Sequence, residues 1–576
     1  MRNSTQKVRP NSSQTKGLPF LAAVLGAFTV AASICSGAAP TQDATESIWP
    51  TKEWQTSSPE EQGMDSKELA KLVDSGAERI LTLPGVTLGN RLDSLLLVRH
   101  GKIAAEAYYA PYAAGIPHHI YSVTKAFIST LTAIAWKDGL LDSPSHRVLD
   151  FFDRRGSANL DDRTEAITVQ NLLDMTSGLE WTERPDGRPD STVEMERSSD
   201  WVKFILDRPM SSAPGDTFNY NSGNPHLLSA ILTKLTGMSA LEYAKAKLFG
   251  PLGITDVYWQ HDPQGNSNGG WGLYLQPRDM AKIGYLYLRN GVWEGKQLLP
   301  PAWIDKVSHA MVATLEPGLR YSNLFWAFPD KHVYMALGKY RQVIMVFPDL
   351  HVVAVTTGRD NNYPLSKMAD SISSSVKSDT ALPTDEASAN LLAKEIRDVS
   401  TEKSTEVGAT PETAAIISGK VYRFAPNALN VKSLSLILTG PQPHYDLELY
   451  ARDPTKSGPR FTDPIGLDGL YRKGELNHVF SGPFQGSPRV NAVKGTWQDD
   501  HTFVIDRLVL GLGQPPRAMD SHVRRREAQR SRRDWRKARN FYRRRDGRIA
   551  SLCGLSIPSA LQPRDFLVLS HPLAHV

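Results

Sequence analysis

The sequence predicts an α+β chain: an antiparallel sheet with flanking helices and a helical subdomain, followed by a smaller all-β domain. Three observations carry this. Apolar strand-like runs open and close residues 50–380, and helical periodicity fills the middle. Residues 418–515 carry short alternating runs divided by turn residues, with no helical period. At 576 residues, with 40% hydrophobic and 22% charged content, the chain is long enough for more than one core.

The N-terminus carries Arg2, Lys7, Arg9 and Lys16, then a nearly apolar run from Leu18 to Ile34 and small residues at Ser36, Gly37, Ala38 and Ala39. Residues 1–39 read as a secretory signal peptide, with an uncleaved anchor as the alternative. A lipid-anchored Cys35 is disfavoured because bulky Ile34 precedes it. Cys35 and Cys553 are the two cysteines, so the body has no disulfide framework. Export without disulfides fits a bacterial periplasmic or secreted protein, with no membrane span after signal cleavage.

"DSLLLVRHGKIAAEAYY", residues 93–109, reads as two strands turning at His100-Gly101. A helix begins at Ser122 and runs to about Lys137, stopped by Asp138-Gly139. Residues 140–260 are helical and loop-rich. "QVIMVFPDLHVVAVTTG", Gln342 to Gly358, is a second hairpin turning at Pro348-Asp349. Residues 381–417 hold an amphipathic helix, Asn390 to Val399, and a linker near 401–413. The all-β domain, a sandwich or half-barrel, shows Leu434, Leu436 and Leu438 in alternation. It has no cluster of nucleophile, base or metal ligands and reads as a structural or binding accessory.

Residues 516–576 differ from everything before them. Between Arg517 and Arg548 stand thirteen Arg and one Lys against four acids, so the formal net charge of +5 belongs to this tail and the remainder is mildly acidic. That argues against a nucleic-acid-binding body and leaves the tail open. The tail is expected to be disordered or non-native.

"HHIYSVTKAFISTL", residues 118–131, sets Ser122 and Lys125 three apart at a helix start. Positions i and i+3 share a face, about 5–6 Å apart at Cβ. The first turn favours negative charge. Phe127, Ile128 and Leu131 supply the apolar surroundings that lower a lysine's pKa and make it a base. S-x-x-K alone is weak. It is joined by "PGDTFNYNSGNPHLL" with Tyr220-Asn221-Ser222, by "LLDMTSGLEW" (Leu172–Trp181) and by "WGLYLQPRDMAKIGYLYLRNG" (Trp271–Gly291).

Together these stretches, within residues 50–375, resemble the class C β-lactamase-like and penicillin-binding-protein-like serine hydrolases, most of all esterases and 6-aminohexanoate-dimer hydrolases. The resemblance implies a β-lactamase/DD-peptidase-like fold and acyl transfer to Ser122, with Lys125 and Tyr220 as a coupled base pair. Which of the two is the primary base stays open. It also implies an oxyanion held by the N–H groups of Ser122 and Lys339, and no metal or cofactor. The third motif departs from the family's K-T-G or H-x-G: it reads Ala336-Leu337-Gly338, without the cation. This favours a small-molecule ester or linear amide over a β-lactam or peptide. A non-catalytic binding or sensor protein on the same fold is the rival, and the joint presence of Ser122, Lys125 and Tyr220 argues against it.

"GNSNG", residues 265–269, fits a nucleophile-elbow pattern but lacks the strand and helix that an elbow requires, so Ser267 is rejected. His118, His119 and His226 have no metal-ligand spacing. Trp181, Trp271 and Tyr274 are either pocket-lining or core residues.

Overall fold

The computed structural model describes residues 49–77, 81–83, 86–88, 92–153, 158–183, 189–361, 363–427, 431–451, 458–478, 486–512 and 564–570. The expected signal segment, 1–39, lies outside them. Nine strands form the central sheet: β1 (Gln55–Thr56), β2 (Leu92–Arg99), β3 (Lys102–Tyr108), β4 (Val312–Ala313), β5 (Arg320–Ser322), β6 (Phe325–Phe328), β7 (Val333–Gly338), β8 (Gln342–Phe347) and β9 (Val352–Gly358), in the order β1-β3-β2-β9-β8-β7-β6-β5-β4. Every pairing is antiparallel except β1 with β3.

Both expected hairpins form. β2 and β3 join through a two-residue turn in which His100 (φ 47°) and Gly101 (φ 79°) are left-handed, a geometry that matches the twist of paired strands. β8 and β9 join through Pro348–Leu350. β9 then pairs with β2, Val353 opposite Val98, so the two ends of the domain meet in mid-sheet. Alternate residues face opposite ways. Leu96, Val98, Ile344, Val346, Val353 and Val355 enter one core, whereas Leu95, Leu97, Val343, Met345, Val352 and Ala354 enter another. Burial on both faces explains why these strands read as unbroken apolar runs.

On the second face lie α1 (Ser66–Gly76), α5 (Leu365–Ser375) and α6 (Glu386–Ser400). On the first lie α2 (Thr124–Lys137), α3 (Gly223–Thr236) and α4 (Pro277–Leu288). The expected amphipathic helix is α6, which starts at Glu386, capped by the Asp385 carboxylate on the Ser388 N–H. α1 and α5 are additions to the expected element set.

The C-terminal domain has two sheets. β10 (Val421–Arg423), β11 (Val431–Ile437), β12 (His444–Leu449) and β13 (Arg460–Pro464) form one. β14 (Pro488–Asp499), β15 (Thr502–Leu510) and β16 (Arg564–Ser570) belong to the other. Leu434, Leu436, Tyr445, Val493, Phe503 and Ile505 fill the space between them, and Leu438 points inward as its alternation foretold. α7 (Glu412–Ile417), in the stretch expected to be a linker, contributes Ala414 and Ile417 to this core, so the domain begins before residue 418. Most of the arginine-rich tail lies outside the described residues. Arg564–Ser570, within the segment expected to be disordered, is instead a strand, pairing antiparallel with β15.

Candidate active site

The chain enters the site through a short strand, His118–His119, and a 3-10 turn, Tyr121–Val123, before α2 opens at Thr124. Ser122 therefore stands in the turn that leads into α2 rather than in its first α-helical turn. The expected i, i+3 geometry holds: Lys125 Nζ lies 2.9 Å from Ser122 Oγ and also donates to the Gly270 carbonyl at 2.8 Å. α2 is buried on nearly every side, and Lys125 is 1% exposed. Burial disfavours the ammonium, so the Lys125 pKa falls to about 8, against the opposing pull of the Glu183 carboxylate.

Tyr220 arrives from the loop before α3. Its side chain lies beside Ser122, and its ring lies 4.8 Å from Lys125 Nζ. Trp326 stacks on it at 5.8 Å. Burial, with the Glu183 charge, pushes the Tyr220 phenol up, and the neighbouring Ser122 hydroxyl opposes this. Asn221 Oδ1 accepts the N–H groups of Gly223 and Asn224 at 2.7 and 3.3 Å, satisfying the free donors at the start of α3. Ser222 donates its N–H (2.5 Å) and hydroxyl (3.0 Å) to the two oxygens of Glu183, whose Oε1 also accepts the Trp181 indole at 2.6 Å. Burial raises the Glu183 pKa, while Lys125 and the Ser222 bonds act against that rise.

The third wall is the end of β7. A Cβ on Gly338 would lie 2.5 Å from the Ile120 carbonyl and 3.2 Å from the Ser122 nitrogen, so only glycine permits this approach. Lys339 follows at the rim, exposed, and Tyr340 and Arg341 are left-handed (φ 63° and 62°). Their turn is tied to Asn361 Oδ1 by the Tyr340 N–H (2.6 Å) and to the Tyr363 carbonyl by Arg341 Nε (2.5 Å). These three walls bound a cleft of about 570 Å³. Trp181, Phe218, Trp326 and Leu337 form its apolar lining; Lys339 and Arg341 are the cations among its lining residues. Ala336 itself is buried in the core.

The structure thus brings Ser122, Lys125 and Tyr220 together and sets Lys339 in the same cleft. Trp181 lines the cleft, whereas Trp271 and Tyr274 pack into cores. Ser267 is buried and its Oγ accepts the Leu241 N–H at 3.0 Å. His226 pairs with buried Asp262 at 3.1 Å. Burial depresses His118 to about 4 and His119 to about 3. Among the described residues no group of three or more His, Cys, Asp or Glu could hold a metal, and no helix is long and apolar enough to cross a membrane. Sequence reasoning missed Glu183 and Trp326. The signal for Glu183 was its place two residues past Trp181, where a stretch already singled out ends.

A family model described as Beta-lactamase matches residues 80–369, which hold all of these groups. The chain belongs to the Beta-lactamase family. Its fold is the β-lactamase-like α+β fold, extended by an all-β C-terminal domain. Among curated relatives of this Beta-lactamase family chain is the 6-aminohexanoate-dimer hydrolase of Paenarthrobacter ureafaciens, 23% identical over 227 residues, 37% of this chain and 56% of that protein. The chain thus spans little more than half of that relative's length. Two solved structures are similar at lower identity. EstCE1, described as a hydrolase with promiscuous acyltransferase activity, is 18% identical, with 58% of this chain and 99% of that one covered and a TM-score of 0.42. The D-stereospecific amidohydrolase from Streptomyces sp. is 13% identical, with 53% and 97% covered and a TM-score of 0.42.

Proposed function

We propose that the protein is a serine hydrolase that cleaves a carboxylic ester or linear amide through an acyl-enzyme on Ser122. The observation that carries this is the pairing of a buried lysine, poised near pH 8, with the Ser122 hydroxyl 2.9 Å away.

In its neutral form Lys125 accepts the Ser122 proton as Oγ attacks the substrate carbonyl. The tetrahedral oxyanion lies where the end of β7 meets the Ser122 N–H, and the backbone N–H of Lys339 is the second donor. Each such donor contributes about 3–4 kcal/mol in comparable sites. Tyr220, protonated because its pKa is raised, passes its proton to the leaving alkoxide or amine and takes back from Lys125 the proton that Ser122 gave up. It then orients the water that attacks the acyl carbon; neutral Lys125 takes the water's proton and returns it to Ser122 Oγ as the acyl–oxygen bond breaks and the acid leaves. The aromatic lining of Trp181, Phe218 and Trp326 suits an apolar acyl or leaving group. Ala336 carries no cation, so a β-lactam carboxylate is not gripped from the position the family usually uses.

Comparing p-nitrophenyl butyrate, nitrocefin and a linear 6-aminohexanoate dimer tests this reading. The ester or the linear amide should show the higher kcat/KM. Faster turnover of nitrocefin than of both would mean that the third wall is misread.

A further inference from the structure

Among its described residues the C-terminal β domain shows no reactive cluster, yet its edge reaches the residues just before Ser122. β15 ends at Leu510, and the next two residues leave the sheet. Gly511 accepts the His119 N–H on its carbonyl at 2.7 Å. Leu512 accepts the Tyr121 hydroxyl on its carbonyl at 2.6 Å. The approach is close: a Cβ on Gly511, whose φ is +83°, would lie 2.1 Å from the Pro117 carbonyl. Around it, Tyr112 and Ile116 pack with Val490, Leu508 and Leu510, so the contact is continuous with a shared apolar core.

Tyr121 is the residue next to the nucleophile, and it is strained. Its φ is +47°, a left-handed conformation that costs a bulky residue free energy and persists when surroundings hold it. Three holds are visible. Its hydroxyl is bonded to Leu512. Its ring sits 3.9 Å from that of His119, which stacks on Tyr274 at 4.9 Å. Its ring also meets Tyr340 edge-on at 5.3 Å, in the turn that follows Gly338 and Lys339. One side chain therefore links the β domain to both the serine turn and the turn that carries the second oxyanion donor.

We propose that the β domain is a brace for catalysis, and that Tyr121 is a positioning residue through which the Leu512 carbonyl fixes Ser122 relative to the Gly338–Lys339 backbone. The inference rests on Ser122 being the nucleophile. Removing the brace loosens the geometry of attack without altering the cleft that binds substrate. The loss therefore falls on acylation rate and kcat, not on KM.

The test uses the full chain and a fluorophosphonate probe. Labelling of the wild type at Ser122 comes first; its absence would sink the proposed function and not this inference alone. Tyr121→Phe keeps the ring and removes the hydroxyl. It should slow labelling and lower kcat about tenfold, the scale of one lost hydrogen bond, with KM unchanged. Gly511→Ala displaces the same carbonyl from the other side. The double variant should be no slower than the slower single one, since the Tyr121–Leu512 contact is the one both variants break. Trp497→Phe, within the β domain's own core, should lower Tm and leave the labelling rate alone. Unchanged labelling in Tyr121→Phe would overturn the brace. So would multiplicative losses in the double variant, or equal slowing by Trp497→Phe. If Gly511→Ala fails to fold, the Tyr121→Phe and Trp497→Phe comparison still decides.

Discussion

Glu183 accepts the Ser222 hydroxyl at 3.0 Å, and so anchors the motif two residues past Tyr220 from across the cleft. The same carboxylate raises the Lys125 pKa against the larger depression caused by burial. Glu183 is thus both a tether for the tyrosine turn and a brake on the lysine's conversion to a base. Glu183→Gln keeps an acceptor for Ser222 and removes the charge. The midpoint of kcat/KM against pH should move to lower pH, raising the fraction of active enzyme at pH 6.5. A midpoint that stays put or rises would show that the charge does not reach Lys125.

The wild-type profile follows from the Lys125 shift. The acylating form carries neutral lysine, so kcat/KM should rise with pH through a midpoint near 8. Lys125→Ala should reduce kcat by about 10²–10⁴-fold, the usual contribution of a general base. The linked effect on stability has a definite sign. The unfolded chain holds this proton more tightly, up to the ordinary lysine value of 10.5, so the Lys125 contribution improves as pH rises from about 8 towards 10.5. A flat rate profile from pH 6 to 9 would contradict the assignment.

Tyr220→Phe should separate substrates by leaving group. An amide needs its nitrogen protonated as it departs, whereas p-nitrophenolate leaves without help. The amide rate should fall by about 10²-fold or more and the p-nitrophenyl ester rate by much less. Equal losses on both would assign Tyr220 to the attack step instead.

Ending the chain after Gln514 removes β16 while keeping Gly511 and Leu512. Esterase activity should survive, since the brace and the site remain. The exposed flank of β15 should lower Tm by roughly 5 °C or more. Loss of activity at full stability would tie the tail to the chemistry.

The Ser122–Lys125 contact was legible because it is local: the two residues stand three apart where a 3-10 turn runs into α2. The nearness of Tyr220, remote in sequence, was legible only through its motif. The two hairpins, local like the Ser122–Lys125 contact, were legible through His100-Gly101 and Pro348-Asp349. The strands β5 and β6 were not. Asn323 and Leu324 make their turn with φ of 48° and 65°, conformations no sequence rule assigns to leucine. Distant partners hold it: Asp174 Oδ1 accepts the Asn323 N–H at 3.1 Å, and the Leu173 carbonyl accepts the Leu324 N–H at 2.8 Å. Glu183 escaped notice because its role depends on Ser222 and Lys125, both remote in sequence. The Tyr121–Leu512 bond spans two domains, and no periodicity announces it.

The most direct measurement is the site of covalent capture. The full-length protein, incubated with a fluorophosphonate and digested, should yield one modified peptide, bearing the adduct on Ser122, and Ser122→Ala should yield none while keeping its circular dichroism spectrum and Tm. An adduct that persists in Ser122→Ala, on Ser267 or any other residue, would contradict the account.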